Sequence, residues 1–498
     1  MPFRSVRETP KRRMYRLIAD FSGKSARSRY DSPMHNARLP DGFGVRVEPT
    51  AVTLSGGTVL VGGVPKRMLR LAPAAAEMIG EGYLRVTDAR TAGVARTLLD
   101  SGLAHPRPMS TPSVTDISVV IPVRNNAAGV DRLLRHLRGL RVVVVDDGSD
   151  VPLTLDESAY CLAGLTVVRH ERSRGPAAAR NTGFARVEQD FVAFLDSDVV
   201  PRRGWLEVVS SHFSDPTVAM VAPRIVGYGP AHSQLARYEQ MCSSLDLGRH
   251  ESMVRPGGRV PYVPSAAVVV RAAALREQGG FDESMHVGED VDLCWRMQDA
   301  GWRLRYEPVA TVEHEHRIRI GAWFSRRVFY GTSTATLAAR HPGKVPPIAM
   351  SRSLLATAIL VLTLSKVGLV AAAASMVFVF TRLRSTFADV EGRDRLAAQL
   401  AVTGVASAIR RVAIALVREY WPATLLAMLL STRVRNTVVT IAIVEGLVDW
   451  FERNDPMGPG PISHLLYRRL ADLAYGAGLW QGVIAERDTR ALRPILQG

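Results

Sequence analysis

The run VAFLDSDVVP, residues 192–201, passes from continuous apolar residues into two carboxylates one residue apart, Asp196 and Asp198. Its apolar half is continuous rather than alternating, which predicts a buried strand of a parallel sheet. The Asp-Ser-Asp then falls at the strand's carboxyl end, where open α/β sheets bind their ligands. Carboxylates this close repel each other, so a positive group is expected between or before them. The plainer alternative is a helix N-cap at Asp198, with Pro201 in the first turn. VVVDDGSD ends another strand-like run with Asp146 and Asp147 before Gly148. A carboxylate there can accept the imide N–H of a uracil, while glycine gives a tight turn beside the ligand. RGPAAARNTGFA places Arg180 one turn into a helix, a setting that attracts phosphate. In GGFDESMHVGEDVDLCWRMQDAGWRLRYEP, Glu289, Asp290 and Asp292 gather at a helix start, with Trp295, Met297 and Ala300 as an apolar face behind them. Acids suit a helix N-terminus electrostatically, but a carboxylate held at a cleft edge also suits proton abstraction from a hydroxyl. VEHEH adds His314 and His316 at the end of a further strand-like run, candidate metal ligands beside the acids.

The elements that must position these residues alternate strand and helix from residue 117 onward. ISVVIPV, RVVVVDD, LTVVRH and FVAFL are the strands, with AAGVDRLLRHLRGL and GPAAARNTGFARVE as helices between them. That alternation predicts right-handed βαβ crossovers and a nucleotide-binding type of sheet. Ahead of it, GVRVEPTAVTLSGGTVLVGG gives a hairpin around Gly56-Gly57, followed by two helical stretches. Pro106, Pro108 and Pro112 then mark a linker. The expected division is a basic flexible leader (1–40), a small domain (41–112), the α/β domain (113–345) and an apolar helical region (346–498).

A chain of 498 residues with 47% hydrophobic content supports more than one core. Its formal charge of +16 points to an anionic partner, whether nucleic acid, acidic phospholipid or a phosphorylated metabolite. The first thirty residues are basic without an apolar stretch, so a basic leader rather than a secretory signal is expected. Three scattered cysteines make neither a metal spacing nor a disulfide framework. Residues 354–380 carry one charge, Lys366. Their length permits a membrane crossing, yet two shorter helices broken near Ser365–Gly368 fit the pattern equally. Residues 421–450 are similar but are expected to be cut at Arg433 and Arg435. Arg382, Arg384, Arg410 and Arg411 suit anionic headgroups, so the chain is expected at the membrane.

Taken in order, strand-Asp-Asp-Gly-Ser, Arg-Asn helix, Leu-Asp-Ser-Asp, Gly-Gly-Phe-Asp, Gly-Glu-Asp and Tyr-x-Pro with a later histidine resemble the inverting family-2 glycosyltransferases of the GT-A fold, over residues 117 to about 318. The resemblance implies that Pro122 begins the nucleotide-facing turn, that Asp147 or Asp146 holds the base, and that Arg180 assists the base or diphosphate. It implies Asp196 at the ribose or metal, and Asp198 on Mg²⁺ or Mn²⁺, with His314, or failing that His316, as a further metal ligand. Asp290 is then the catalytic base and Glu289 its orienting neighbour. The imidazole among hard oxygen ligands tilts the metal toward Mn²⁺. The Gln-x-x-Arg-Trp stretch of processive synthases is replaced by AWFSRRVFYGTSTATLAARHPGK, which disfavours a product-extruding synthase. LVGGVPKRMLRLAPAAAEMI and LLDSGLAHPRP resemble a winged-helix-like, peptide-recognising domain. With the core, they resemble the glycosyltransferases of the mycofactocin system. That likeness implies transfer of glucose from UDP-glucose to a peptide-derived redox cofactor, building β-1,4 linkages on the cytoplasmic face of the cell membrane. Two alternatives stand beside it: a lipid or polyprenyl phosphate acceptor, and a basic winged-helix nucleic-acid-binding protein. The second leaves the clustered acids unexplained, so no nucleic acid partner is expected.

Overall fold

The computed structural model describes residues 15–20, 37–316 and 318–497. Its first unit is strand-rich. One antiparallel sheet orders Tyr15–Asp20, Arg67–Leu71, Val59–Gly62 and Val52–Leu54; a second orders Tyr83–Arg85, Gly44–Val47 and Ala104–Arg107. The hairpin turns at Gly56-Gly57, as the sequence suggested, and both glycines have positive φ. Helix α1 (Ala89–Ser101) starts in a capping box between Asp88 and Thr91 and buries Val94, Ala95, Leu98 and Leu99. Strand Tyr15–Asp20 falls in the stretch expected to be a flexible leader; it pairs with Arg67–Leu71 instead. The rest of that leader up to residue 36 lies outside the described residues.

The α/β unit is one nine-stranded mixed sheet. Its strands are β1 (Ile117–Val123), β2 (Arg141–Asp147), β3 (Gly164–His170), β4 (Phe191–Leu195), β5 (Val199–Pro201), β6 (Val218–Gly227), β7 (Ser252–Val254), β8 (Ala267–Arg271) and β9 (Arg303–His314), in the order β3-β2-β1-β4-β8-β6-β9-β5 with β7 also on β9. The first four strands are parallel, as the βαβ pattern required, and β4 pairs antiparallel with β8. Two apolar cores form on its two faces, one around Phe194, Trp295 and Tyr306, the other around Ile121, Leu133 and Trp205. α2 (Pro176–Phe184) and α3 (Glu289–Asp299) both pack into the first of these cores. Val199–Pro201 continues as an edge strand paired with β9 rather than opening a helix, so the N-cap reading of Asp198 is excluded.

A long helix, α4 (Ile320–Arg340), leads into the helical region: α5 (Arg352–Leu362), α6 (Lys366–Thr386), α7 (Arg393–Val417), α8 (Trp421–Leu430), α9 (Thr432–Arg453) and α10 (Pro461–Glu486). The 354–380 stretch is broken at Thr363–Ser365, where Ser365 caps α6. The break expected at Arg433 and Arg435 comes earlier, at Ser431, whose hydroxyl accepts from Val434 N; both arginines lie inside α9. By length and composition α6 and α7 suffice to cross a membrane.

Ion pairs fasten the N-terminal unit to the sheet. Arg96 makes two bonds to Asp215 (2.7 and 2.8 Å), Arg303 bonds Asp100 (2.7 Å), and Arg107 bonds Glu251 (2.6 Å). Asp215 is buried, which by itself would raise its pKa, but Arg96 and Thr217 hold it below the usual carboxylate value. Its contribution to stability is therefore complete above the unfolded pKa and is lost as pH falls through the folded one. Arg96→Met should destabilise the chain by about 3–5 kcal/mol at pH 7. In urea unfolding that deficit should shrink in acid, where the stranded carboxyl takes up a proton.

Candidate active site

The carboxyl ends of β1, β2 and β4 open into a cavity of about 2970 Å³. Pro122, Asp147, Arg180, Asp196, Asp198 and Asp290 all line it. The Asp196–Asp198 turn is pinned on both sides: Asp196 N donates to Ala266 O (2.9 Å), and Asn126 Nδ2 donates to Ser197 Oγ (3.1 Å). The helix beginning at Ala127 presses so closely on this turn that a Cβ at Gly129 would lie 2.3 Å from Ser197 O.

A cation meets one of the two acids at the strand end: Arg180 pairs with Asp196 but not with Asp198. It is buried, and its two terminal nitrogens donate to Asp196 Oδ1 (2.7 Å) and Glu289 Oε1 (3.0 Å). Burial would lower its pKa; Asp196, Glu289 and Asp290 outweigh burial and raise it. Arg180 thus clamps two carboxylates, where the sequence had suggested contact with a base or diphosphate.

Asp290 is half-buried at the start of α3, accepting from Ser265 N (3.2 Å) and Val291 N (2.8 Å). Burial, then the charge of Glu289, push its carboxyl up to about 7, against the pull of Arg180. Asp196 and Glu289 already occupy the two terminal nitrogens of that guanidinium. The loop before α3 is fastened by Asn181, which accepts from Phe281 N (2.9 Å) and donates to Phe281 O (2.8 Å) and Glu283 (3.0 Å). Gly280 (φ 80°) passes so near that a Cβ would lie 2.6 Å from Asn181 Oδ1.

The register of β5 against β9 sets Val199 opposite His314 and so brings His314 Nε2 to 3.4 Å from Asp198 Oδ1. Burial raises the Asp198 carboxyl above its ordinary value although His314 opposes the shift. No arginine or lysine pairs with Asp198 among the described residues, and His314 Nδ1 is buried without a partner. A carboxylate without a basic partner facing an imidazole fits a divalent cation. His316 is turned away, its Nε2 buried without a partner and its ring 2.9 Å from where a Cβ on Gly227 would stand.

The two candidates for the base contact separate. Asp146 is buried and accepts from Ser149 N (2.9 Å), Leu153 N (3.1 Å) and Arg169, closing its own turn outside the cavity. Asp147 faces the cavity. Its oxygens accept from His170, Ser173 Oγ and the N–H groups of Arg174 and Gly175. These bonds outweigh burial and lower its pKa.

With this geometry described, comparison with known proteins is informative. Residues 118–279 match the family described as Glycosyl transferase family 2. Over 471 residues the chain is 50% identical to the protein named pre-mycofactocin glycosyltransferase of Mycobacterium tuberculosis, covering 93% of this chain and 100% of that one. The chain belongs to the pre-mycofactocin glycosyltransferase family, and it is a glycosyltransferase. Glycosyltransferase AglE of Haloferax volcanii is 27% identical over 206 residues, which is 39% of this chain and 66% of the relative. Among solved structures, the mannosyltransferase PcManGT from Pyrobaculum calidifontis in complex with GDP-Man and Mn²⁺ has 17% identity and a TM-score of 0.35, covering 70% of this chain and 91% of its own.

Other site residues of this family member escaped sequence reasoning. Arg327 lines the cavity from α4, held by Glu239 and lying over Trp323 at 4.7 Å. Its signal was the Trp323–Arg327 spacing of one helical turn. Buried Asp292, expected only as part of the acidic cluster, bonds His341 Nε2 (2.9 Å) and Arg296 (2.6 Å), tying α3 to the end of α4. No local signal connects residues 292 and 341.

A general base must be ionised to act. If Asp290 is such a base, its carboxyl near 7 makes kcat/KM fall about tenfold per pH unit below neutrality. Glu289→Gln removes the like charge and leaves Arg180 less committed, so the acid limb should move to lower pH. An unmoved limb in pH–rate profiles would separate Glu289 from the base.

Proposed function

We propose that the chain is an inverting, divalent-metal-dependent glycosyltransferase that moves glucose from UDP-glucose to a peptide-derived redox cofactor precursor of the mycofactocin type, extending a β-1,4-linked oligosaccharide. The observation that carries the chemistry is the presence, in one cavity, of Asp198, which His314 faces at 3.4 Å, and of an Asp290 carboxyl raised to about 7. The acceptor class is supported by the 50% identity to the pre-mycofactocin glycosyltransferase.

In this reading Asp290 accepts the proton of the acceptor hydroxyl while that oxygen attacks the sugar carbon in line with the departing nucleotide, which inverts the centre. A carboxyl poised near neutrality is ionised often enough to accept and basic enough to compete. Arg180 keeps the charges of Asp196 and Glu289 from repelling an anionic donor. Asp198 and His314 would hold Mg²⁺ or Mn²⁺, whose charge stabilises the developing negative charge on the leaving diphosphate. Pro122 and Asp147 line the donor side, with Asp147 preorganised by four donors. The N-terminal unit, winged-helix-like in the sequence reading, walls the acceptor side through Lys66 and Arg90. The apolar helices set the enzyme against an anionic membrane surface on the cytoplasmic face. A second reading, a lipid or polyprenyl phosphate acceptor, is favoured by Leu354, Val379 and Leu400 on the cavity's far wall.

Incubation with Mn²⁺ or Mg²⁺ and a panel of nucleotide sugars should release UDP from UDP-glucose, faster with the cofactor precursor present. Release only with a lipid acceptor would favour the second reading. Asp290→Asn should lower kcat by at least about 10²–10⁴-fold while donor affinity stays near wild type. Separately, Asp198→Ala and His314→Ala should each weaken Mn²⁺ binding in the presence of UDP, read by calorimetry. Unchanged metal affinity in both variants would remove the pair from the site.

A further inference from the structure

The apolar helices form two hairpins, each with a short outward limb. α5 leaves the body at Ser351, where Ala349–Ser351 pairs with Ile495–Gln497, and reaches the Thr363–Ser365 break after 11 residues. At about 1.5 Å per residue that limb is roughly 16 Å long. α6 returns beside it, Thr357 Oγ1 meeting Ser375 Oγ at 2.6 Å. The second hairpin repeats this form: α8 has 10 residues before the break at Ser431, and α9 returns to the body, where Arg453 Nη1 donates to Met241 O (2.8 Å). A hydrocarbon core is about 30 Å thick, so neither outward limb spans it.

α7 is long enough to cross, but both of its ends are held by the body. At its start Phe387, Val390 and Leu396 pack on Val59, Val61 and Met68 of the N-terminal unit, with Arg70 on Asp389 at 2.8 Å. At its end Ala408, Val412 and Ala415 pack on Ile348 and Met350, and Tyr420 donates to Leu492 O (2.9 Å). The same N-terminal unit is clamped to the sheet by Arg96–Asp215 and Arg303–Asp100. Both ends of α7 therefore stay on the catalytic side.

The hairpin tips are apolar and exposed: Leu364, Val367 and Val370 on one, Leu429 and Leu430 on the other, all at least half exposed. Each tip also carries cations, Lys366 on the first and Arg433 and Arg435 on the second, all exposed. Residues 352–387 and 421–444 contain no Asp or Glu. An apolar tip with flanking cations and no acid matches the headgroup boundary of an anionic leaflet.

We propose that both hairpins dip into one leaflet of an anionic bilayer and that no helix of this region crosses it. This rests on the membrane-surface part of the reading above and adds the topology. The whole chain is expressed in bacterial cells in a Cys161→Ser, Cys242→Ser background, with a cysteine introduced by Leu364→Cys or Glu391→Cys. These sites flank α6, so a crossing α6 would place them on opposite sides. A membrane-impermeant maleimide should label Glu391→Cys in inside-out vesicles, leave the lipid-embedded Leu364→Cys unlabelled there, and label neither in intact spheroplasts. Labelling of either in intact spheroplasts overturns the proposal while leaving membrane attachment standing. In sedimentation with phosphatidylcholine vesicles containing phosphatidylglycerol, Arg433→Gln with Arg435→Gln should weaken binding roughly thirtyfold. Absence of binding by the unaltered chain, or its self-association through the Val367 face, overturns both the proposal and the membrane part of the reading. UDP release, measured alongside, reports the catalytic reading independently.

Discussion

One guanidinium organises the candidate active site. Arg180 comes from α2, Asp196 from the end of β4 and Glu289 from the first turn of α3; Arg180 and Glu289 are buried and Asp196 is half-buried. Taking any of these charges out of water alone costs several kcal/mol, so each depends on the others being in place. The clamp therefore fixes the helix start that carries Asp290 relative to the strand end that carries Asp198. It also bears on the acidity of Asp290. Because Arg180 is committed to Asp196 and Glu289, Asp290 feels burial and a like charge more strongly than it feels the cation, and its carboxyl rises to about 7.

Around that centre the sheet supplies fixed geometry and the flanking units supply the walls. Edge strand β5 is short, yet its pairing with β9 is what brings an imidazole to a carboxylate more than a hundred residues away. The N-terminal unit bridges the sheet and the turn between α6 and α7, so the cavity is bounded by three parts of the chain held as one body. A cavity of this size exceeds the roughly 300–1,000 Å³ typical of a single small-molecule site. It leaves room for a sugar nucleotide together with a sizeable acceptor.

Much of the catalytic unit was legible in the linear chain. Continuous apolar runs ending in acids identified β2 and β4, because strands buried on both faces cannot alternate. Gly175-Pro176 marked the start of α2, and Gly288-Glu289 that of α3, since those residues suit helix entry. The repulsion between Asp196 and Asp198 called for a nearby cation; Arg180 supplies one at Asp196, while Asp198 faces His314 instead. The helical region was less legible. Composition alone does not say whether an apolar segment is one helix or two, and the breaks at Thr363–Ser365 and Ser431 follow from serine caps rather than from the arginines.

Residue type and local order thus determined the strands, the helix starts and the set of acids available for catalysis, because these depend on neighbours within a few positions. Tertiary structure alone decided which of those acids face the cavity. Asp146 and Asp147 are adjacent, yet one closes its own turn and the other lines the site. Tertiary structure also brought His314 to Asp198, through strand register, and joined Asp292 to His341 across α3 and α4. For Asp146 and Asp147 the reason is strand alternation, which reverses side-chain direction at every residue; the other pairings depend on how distant segments pack.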